Sequence, residues 1–228
     1  RTEDSDINRE TELKLRKTLP IDFDSHQLIS AIDYLRENTG ASIFVNWNAL
    51  TDVGIDADVA ETGSTLEENA ALKATTYSRM SGLVTLADDS GLEVDALGGE
   101  PGVLSSRYAG HGATDAQRIA HLLGKLNNVP EEEWRARFRC VIAIAWPGGA
   151  VDLYTGECHG RIVRTPRGDS GFGYDPVFFL PELGRTMAEL SPEEKNRISH
   201  RAEAARKAAA ALRRRAGEMG HSETPRPS

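Results

Sequence analysis

Asp88 and Asp89 stand side by side in LADDSGLEVDALGGEPG, residues 86–102, where an apolar run gives way to a glycine-rich one. Carboxylates are hard oxygen donors, and a Mg2+ ion needs only one or two of them beside waters and substrate phosphates. A carboxylate in the same place could also take a proton from an attacking water. Adjacent side chains of a strand point to opposite faces, so only one of the pair can face a given cleft. Asp89, next to the Ser90-Gly91 pair that reads as a turn, is the better placed. Taken by itself, the pair is equally what terminates a strand.

Two later segments carry side chains suited to holding a flat, charged ligand. In SGFGYDPVFF, residues 170–179, Phe172 lies between two glycines that leave room for a ring to approach it. Stacking a base on an aromatic is worth roughly 1–3 kcal/mol and hardly depends on the base. Asp175 could accept from a base edge or fix a neighbouring donor; ordinary turn capping is the plainer account. In SPEEKNRISHR, residues 191–201, Lys195, His200 and Arg201 are candidate donors. Lys195 and His200 are five positions apart, roughly 140° around an ideal helix. The two share a face only if the helix breaks, so a break is expected near Ser199. A solvated basic helix face accounts for any one of the three alone.

In this order, the three segments resemble the inosine triphosphate pyrophosphatase family, which hydrolyses non-standard purine nucleoside triphosphates (ITP, dITP, XTP) to the monophosphate and pyrophosphate. The resemblance runs over about residues 52–215. It implies that Asp89 is general base and metal ligand, that Glu61 in ETGSTLEENAALKA is a second metal ligand, and that the cofactor is Mg2+. It places Lys73 and Ser90 on the triphosphate, with Arg107 a weaker candidate. Phe172, Gly173, Tyr174 and Asp175 surround the base, and Lys195, His200 and Arg201 read it. Hypoxanthine and xanthine carry an oxygen where adenine carries an amino group, so donors aimed at that position discriminate far better than an apolar pocket. A homodimer is implied by the resemblance alone. Without it, Glu61 is an acidic residue before a helix, Lys73 a snorkelling surface lysine, and Ser90 a turn residue.

The elements that must position these groups follow from caps and periodicity. Thr65 with Glu68 has capping-box spacing and opens a helix through about Met80. Leu83–Ala87 reads as a buried strand ending at the aspartates. Thr114 with Gln117 starts a helix to about Asn127. RFRCVIAIAW, residues 137–146, is strand-like, and Pro147-Gly148-Gly149 turns it back into AVDLYTGE. Ser191, Pro192 and Glu194 start a helix, and an alanine-rich one runs to about Arg215. The fold class is α/β: a twisted mixed sheet with flanking helices and two lobes around a central cleft.

The 228 residues suit one globular unit with a small appendage. A formal net charge of −8 argues against nucleic acid as a partner. Two cysteines provide neither a disulfide framework nor a zinc site, and Cys140, in an apolar run, reads as a small buried hydrophobe. No apolar stretch reaches the ~20 residues needed to span a bilayer, and RTEDSDINRE at the start lacks the apolar core of a signal peptide. A cytoplasmic protein without a membrane partner is expected.

Residues 1–51 do not follow the family pattern. Members open with an apolar strand and a T-x-N-x-x-K loop; here residues 19–50 read LPIDFDSHQLISAIDYLRENTGASIFVNWNAL, more like short secretin/TonB-type N-terminal modules. The spacing predicts strand, helix, strand, with Asp22-Phe23-Asp24-Ser25-His26 as the strand-to-helix turn. The chain thus divides into an atypical segment over 1–51, a pyrophosphatase-like core over 52–217 and a disordered tail over 218–228. Loss of the loop leaves two readings open: an impaired enzyme, or a catalytically inactive nucleotide-binding or interaction module.

Overall fold

The computed structural model describes residues 59–221, with side chains as far as residue 215. The strand–helix–strand unit expected within 1–51, its junction near residue 50, and residues 222–228 of the expected tail lie outside the described residues.

Helix α1, Leu66–Ser81, starts where Thr65 accepts from the Glu68 N–H and stops at Gly82, whose φ of +71° suits a residue without a side chain. Strand β1 follows over Thr85–Val94, and a 3-10 segment over Gly102–Arg107 folds back on it. Helix α2, Asp115–Leu126, opens with the expected Thr114/Gln117 capping box. Strands β2, Arg135–Ala145, and β3, Val151–Ile162, form the expected hairpin. Short strands β4, Phe178–Leu180, and β5, Arg185–Thr186, complete the sheet. Helix α3, Pro192–Ile198, has the Ser191/Glu194 capping box, and α4, His200–His221, runs past Arg215.

The five strands lie in sequence order and every pairing is antiparallel, so the parallel members of a mixed sheet do not occur among the described residues. The α/β architecture with flanking helices is as expected. Strand β1 is not. It continues through Asp88 and Asp89 to Val94, because an unbroken ladder to β2 pairs Asp88 with Ile142, Asp89 with Val141 and Gly91 with Arg139. The Ser90-Gly91 pair is therefore mid-strand rather than a turn. Gly91 is required by packing: a Cβ there would collide with the Gly102 carbonyl of the overlying 3-10 turn.

Helices cover both faces of the β1–β2 ladder over one half of its length. Odd-numbered Ala87, Val141, Ala143 and Ala145 pack against Leu66, Ala70 and Ala74 of α1. Even-numbered Leu86, Cys140, Ile142 and Ile144 pack against Ala204, Ala205 and Ala208 of α4. Burial on both sides explains why β2 reads as a continuous apolar run. The other half of the ladder joins a separate core, in which Leu92, Val94 and Phe138 meet Ile119, Leu122 and Leu126 of α2 and Phe178 of β4. Residues 88–91 lie at the boundary between these packed regions. Both cysteines are buried and free, as expected for Cys140.

Candidate active site

Alternation along β1 sends the two aspartates apart. Asp89 points to the α1 face, where its Oδ1 lies 3.3 Å from Lys73 Nζ and its Oδ2 accepts from Asn69 Nδ2 at 3.1 Å. Lys73 also donates to Glu61 Oε1 at 2.8 Å, and Glu61 Oε2 accepts from Arg107 at 3.3 Å. Asn69 and Lys73 are four apart on α1 and so share a face. Asn69, fully buried, also accepts the Gly63 N–H at 2.8 Å, tying the segment after Glu61 to the helix that holds Asp89.

The electrostatics of this group are unbalanced. Burial and the neighbouring Glu61 carboxylate push Asp89 above the usual carboxylate range, against the pull of Lys73 and Asn69. Burial also acts to raise Glu61, but bonds and charge from Lys73 and Arg107 outweigh it and hold Glu61 low. Lys73 is raised: burial opposes its charge, and Asp89 and Glu61 more than offset that. Two carboxylates from separate segments thus converge on one cationic nitrogen. Such a pair of hard oxygen donors fits Mg2+ with its waters and substrate phosphates. Among the described residues no three or more His, Cys, Asp or Glu side chains converge as a metal-binding group.

Asp88 points to the α4 face. Its Oδ2 accepts from Arg201 Nε at 3.0 Å and Ser90 Oγ at 3.2 Å, with Cys140 Sγ at 3.6 Å. The Ser90 hydroxyl therefore stands on the opposite face from Asp89. Its N–H shares an edge with those of Leu92 and Val94, which bond Ser105 Oγ and Glu100 O, and so points off the side of β1 away from β2.

The expected break at Ser199 is present, with φ −67° and ψ 152°. Ser199 ends α3 with its N–H on the Lys195 carbonyl, and its hydroxyl accepts from the Ala202 N–H in the first turn of α4. This brings Lys195, His200 and Arg201 into one neighbourhood. Lys195 donates to Asp175 and lies 4.5 Å from the Phe172 ring centroid. His200 is buried and stacks on Phe138 at 5.0 Å, and its Nδ1 has no hydrogen-bond partner among the described residues. Burial, reinforced by the charges of Arg201 and Lys195, drives His200 well below the ordinary histidine range, so it is neutral. A buried polar nitrogen left open in a native fold calls for a partner from outside.

In the 170–177 segment, Phe172 is among the exposed large hydrophobics, as a stacking platform requires. Asp175 is buried and accepts the Phe172 N–H at 3.0 Å as well as Lys195; burial pushes it up against the pull of Lys195. Gly171 is needed because a Cβ would strike the Asp175 carboxylate, and its φ is +81°. The absence of a side chain at Gly171 thus makes room for Asp175. Gly173 borders open space where a Cβ would stand, with its N–H on Asp115 at 2.6 Å, whereas Tyr174 is buried and donates to the Ser105 carbonyl at 3.0 Å.

Sequence reasoning missed Asn69 and Gly156, and singled out Asp88 without finding its partner. Asn69 is a poor helix former four residues before a candidate lysine, which is a readable signal. Gly156, in the middle of β3, gave none; a Cβ there would strike backbone atoms of His200 and Ala204, so its absence lets the start of α4 lie against the sheet.

The sequence model of the Ham1 family matches residues 32–211, beginning ahead of the junction read near residue 50. A dITP/XTP pyrophosphatase of Geobacillus kaustophilus is 57% identical over 160 residues, 70% of this chain and 78% of that protein. The enzyme of the same name from Bacillus subtilis is 45% identical over 159 residues, 70% and 80% of the two chains. Among solved structures, a HAM1 protein from Coxiella burnetii superposes with a TM-score of 0.77 at 41% identity, covering 86% of this chain and 98% of its own. With matching sequence over most of its length and matching structure, the chain belongs to the Ham1 family.

Proposed function

We propose that this chain hydrolyses non-standard purine nucleoside triphosphates, dITP and XTP above all, to the monophosphate and pyrophosphate. The observation that carries the reading is the division at β1: a carboxylate–lysine group on one face, and on the other a neutral His200 with an open Nδ1 beside Arg201, Lys195 and an exposed Phe172. One side suits phosphate and the other a purine. The names of the relatives, dITP/XTP pyrophosphatases, point to the same substrates.

In this reading Asp89, raised by burial, takes the proton of the water that attacks the α-phosphorus. Asn69 holds its second oxygen and fixes the carboxylate. Glu61 and Asp89 would hold Mg2+, which neutralises charge on the departing pyrophosphate when bound. Lys73, released from its two carboxylates, turns to the phosphates, and the Ser90 N–H points from the strand edge. Phe172 stacks the base, and His200 and Arg201 donate to its 6-oxygen. Most of the catalysis is positioning and electrostatics, as in phosphoryl transfer generally.

The expected cytoplasmic location and homodimer belong to this proposal, and the homodimer rests on family resemblance. No helix among the described residues is long and apolar enough to cross a membrane. No geometric feature favours a non-catalytic binding module. Pyrophosphate release by the purified chain with Mg2+, from dITP and XTP against dATP and dGTP and alongside Asp89→Asn, is the test. Selective release that the substitution abolishes is expected; a folded chain with no more release than the variant overturns the proposal.

A further inference from the structure

We propose that Asp88, the aspartate that faces away from the reacting phosphates, is a positioning residue for base selection. It holds the Arg201 guanidinium in the orientation that reads the purine. This rests on the reading of Arg201 as a base donor given above.

Three observations carry it. The first is convergence: one oxygen of Asp88 collects Arg201 Nε at 3.0 Å, Ser90 Oγ at 3.2 Å and Cys140 Sγ at 3.6 Å. With its side chain 9% exposed, Asp88 is engaged and enclosed, hence unavailable as a base or metal ligand.

The second is the geometry of the arginine. Guanidinium is a rigid planar fork with five N–H donors, so anchoring one edge aims the other. Nε bonds Asp88 and Nη2 reaches Ser90 Oγ at 3.4 Å, whereas Nη1 makes no hydrogen bond among the described residues. Arg201 is the second residue of α4, beside the open Nδ1 of His200. The unused donors of the two residues are the ones left for a ligand.

The third is the strand. Asp88 and Asp89 are consecutive in a regular ladder, opposite Ile142 and Val141. One peptide unit of β1 therefore fixes both the carboxylate at the reacting centre and the anchor of the base-reading arginine. Strand β1 acts as a two-sided ruler between the α-phosphorus and the purine ring. A substrate whose base lacks the 6-oxygen cannot satisfy the aimed donors when its phosphate is in place.

The experiment compares the full chain with Asp88→Asn, Arg201→Ala and the double variant, reading kcat and KM for dITP and dATP. Calorimetric binding of inosine and adenosine monophosphates is measured in parallel. Misaiming a positioned group can lower a rate or affinity about a hundredfold. Asp88→Asn is expected to lower the dITP/dATP preference by about that factor, through KM for dITP rather than kcat, and to add nothing to Arg201→Ala. Ser90→Ala, which keeps the ion pair and removes the Nη2 contact together with the Ser90 bond to Asp88, keeps the proposal testable if Asp88→Asn does not fold. It is expected to lower the same preference about threefold to tenfold, the reach of one typical hydrogen bond.

Unchanged preference in folded Asp88→Asn, or in Ser90→Ala if the Asn variant does not fold, overturns the inference. So does a fall in kcat alone, or losses that add to those of Arg201→Ala. A wild-type chain that binds inosine over adenosine monophosphate without releasing pyrophosphate overturns the catalytic reading only, and the binding arm then decides on Asp88. A wild-type chain showing neither overturns both.

Discussion

The two faces of β1 carry the same residue type one position apart and treat it in opposite ways. On the α1 face, Asp89 shares Lys73 with a second carboxylate and is raised by burial. On the α4 face, Asp88 has a dedicated arginine with further donors from Ser90 and Cys140, beside alanines packed on an apolar sheet. In the first arrangement Asp89 shares its only cation among the described residues with Glu61, and in the second Asp88 has an arginine to itself. A site that must accept a metal and a polyphosphate benefits from a carboxylate whose cation is shared, whereas a donor that must be held still benefits from a dedicated pairing. The difference between adjacent aspartates is a difference between a working group and a fixed one.

The largest expected break in this contrast comes from Asp89→Asn. Removing a general base lowers kcat by about 10²–10⁴, read as pyrophosphate release. Stability moves the other way. Because the folded pKa of Asp89 is raised above the ordinary 3.8, its contribution to stability is present below that value and is lost as pH rises through the folded pKa. At neutral pH the ionised group is a burden that the amide removes. Thermal melting in a chelating buffer at pH 7 is expected to show the variant at or above the wild-type midpoint, with the gap closing in acid. A clearly lower midpoint at pH 7 would mean that Lys73 balances Asp89 after all.

On the other face Arg201→Ala leaves Asp88 enclosed and unpaired. Removing one partner of a buried pair typically costs about 3–5 kcal/mol, against ~1 kcal/mol or less for a surface pair. With the two side chains 20% and 9% exposed, a loss toward the upper value is expected in urea unfolding. A loss near the surface value would place Asp88 in contact with water and remove the contrast.

Much of the frame was legible because it depends on local chemistry. The Thr65, Thr114 and Ser191 caps, the Pro147-Gly149 hairpin turn and the break at Ser199 were all read from neighbouring residues. The continuation of β1 was not, since Asp-Asp-Ser-Gly has the composition of a turn and only the ladder to β2 makes it a strand. That the two aspartates would face opposite ways followed from alternation, but what Asp88 would meet did not. Its partner is 113 positions away on a helix whose approach depends on Gly156. Likewise the contact of Gly171 with Asp175, four residues on, was not read from the sequence.

The smallest expected effect concerns His200, which stands between the two kinds of environment: enclosed like Asp88, yet with an open Nδ1. Its folded pKa lies well below the ordinary 6.5, so in the folded chain it resists the proton that the unfolded chain accepts. Its contribution to stability is therefore complete above pH 6.5 and is lost as pH falls below that value toward the folded pKa. The urea midpoint of the wild type should decline over that interval, and His200→Gln, which cannot take a proton, should decline less. Bound inosine monophosphate should steepen the wild-type decline if the neutral imidazole is the form that holds the base. Parallel curves for wild type and variant would mean that His200 accepts a proton in the folded state, and so belongs with the open groups around Asp89 rather than with the fixed ones around Asp88.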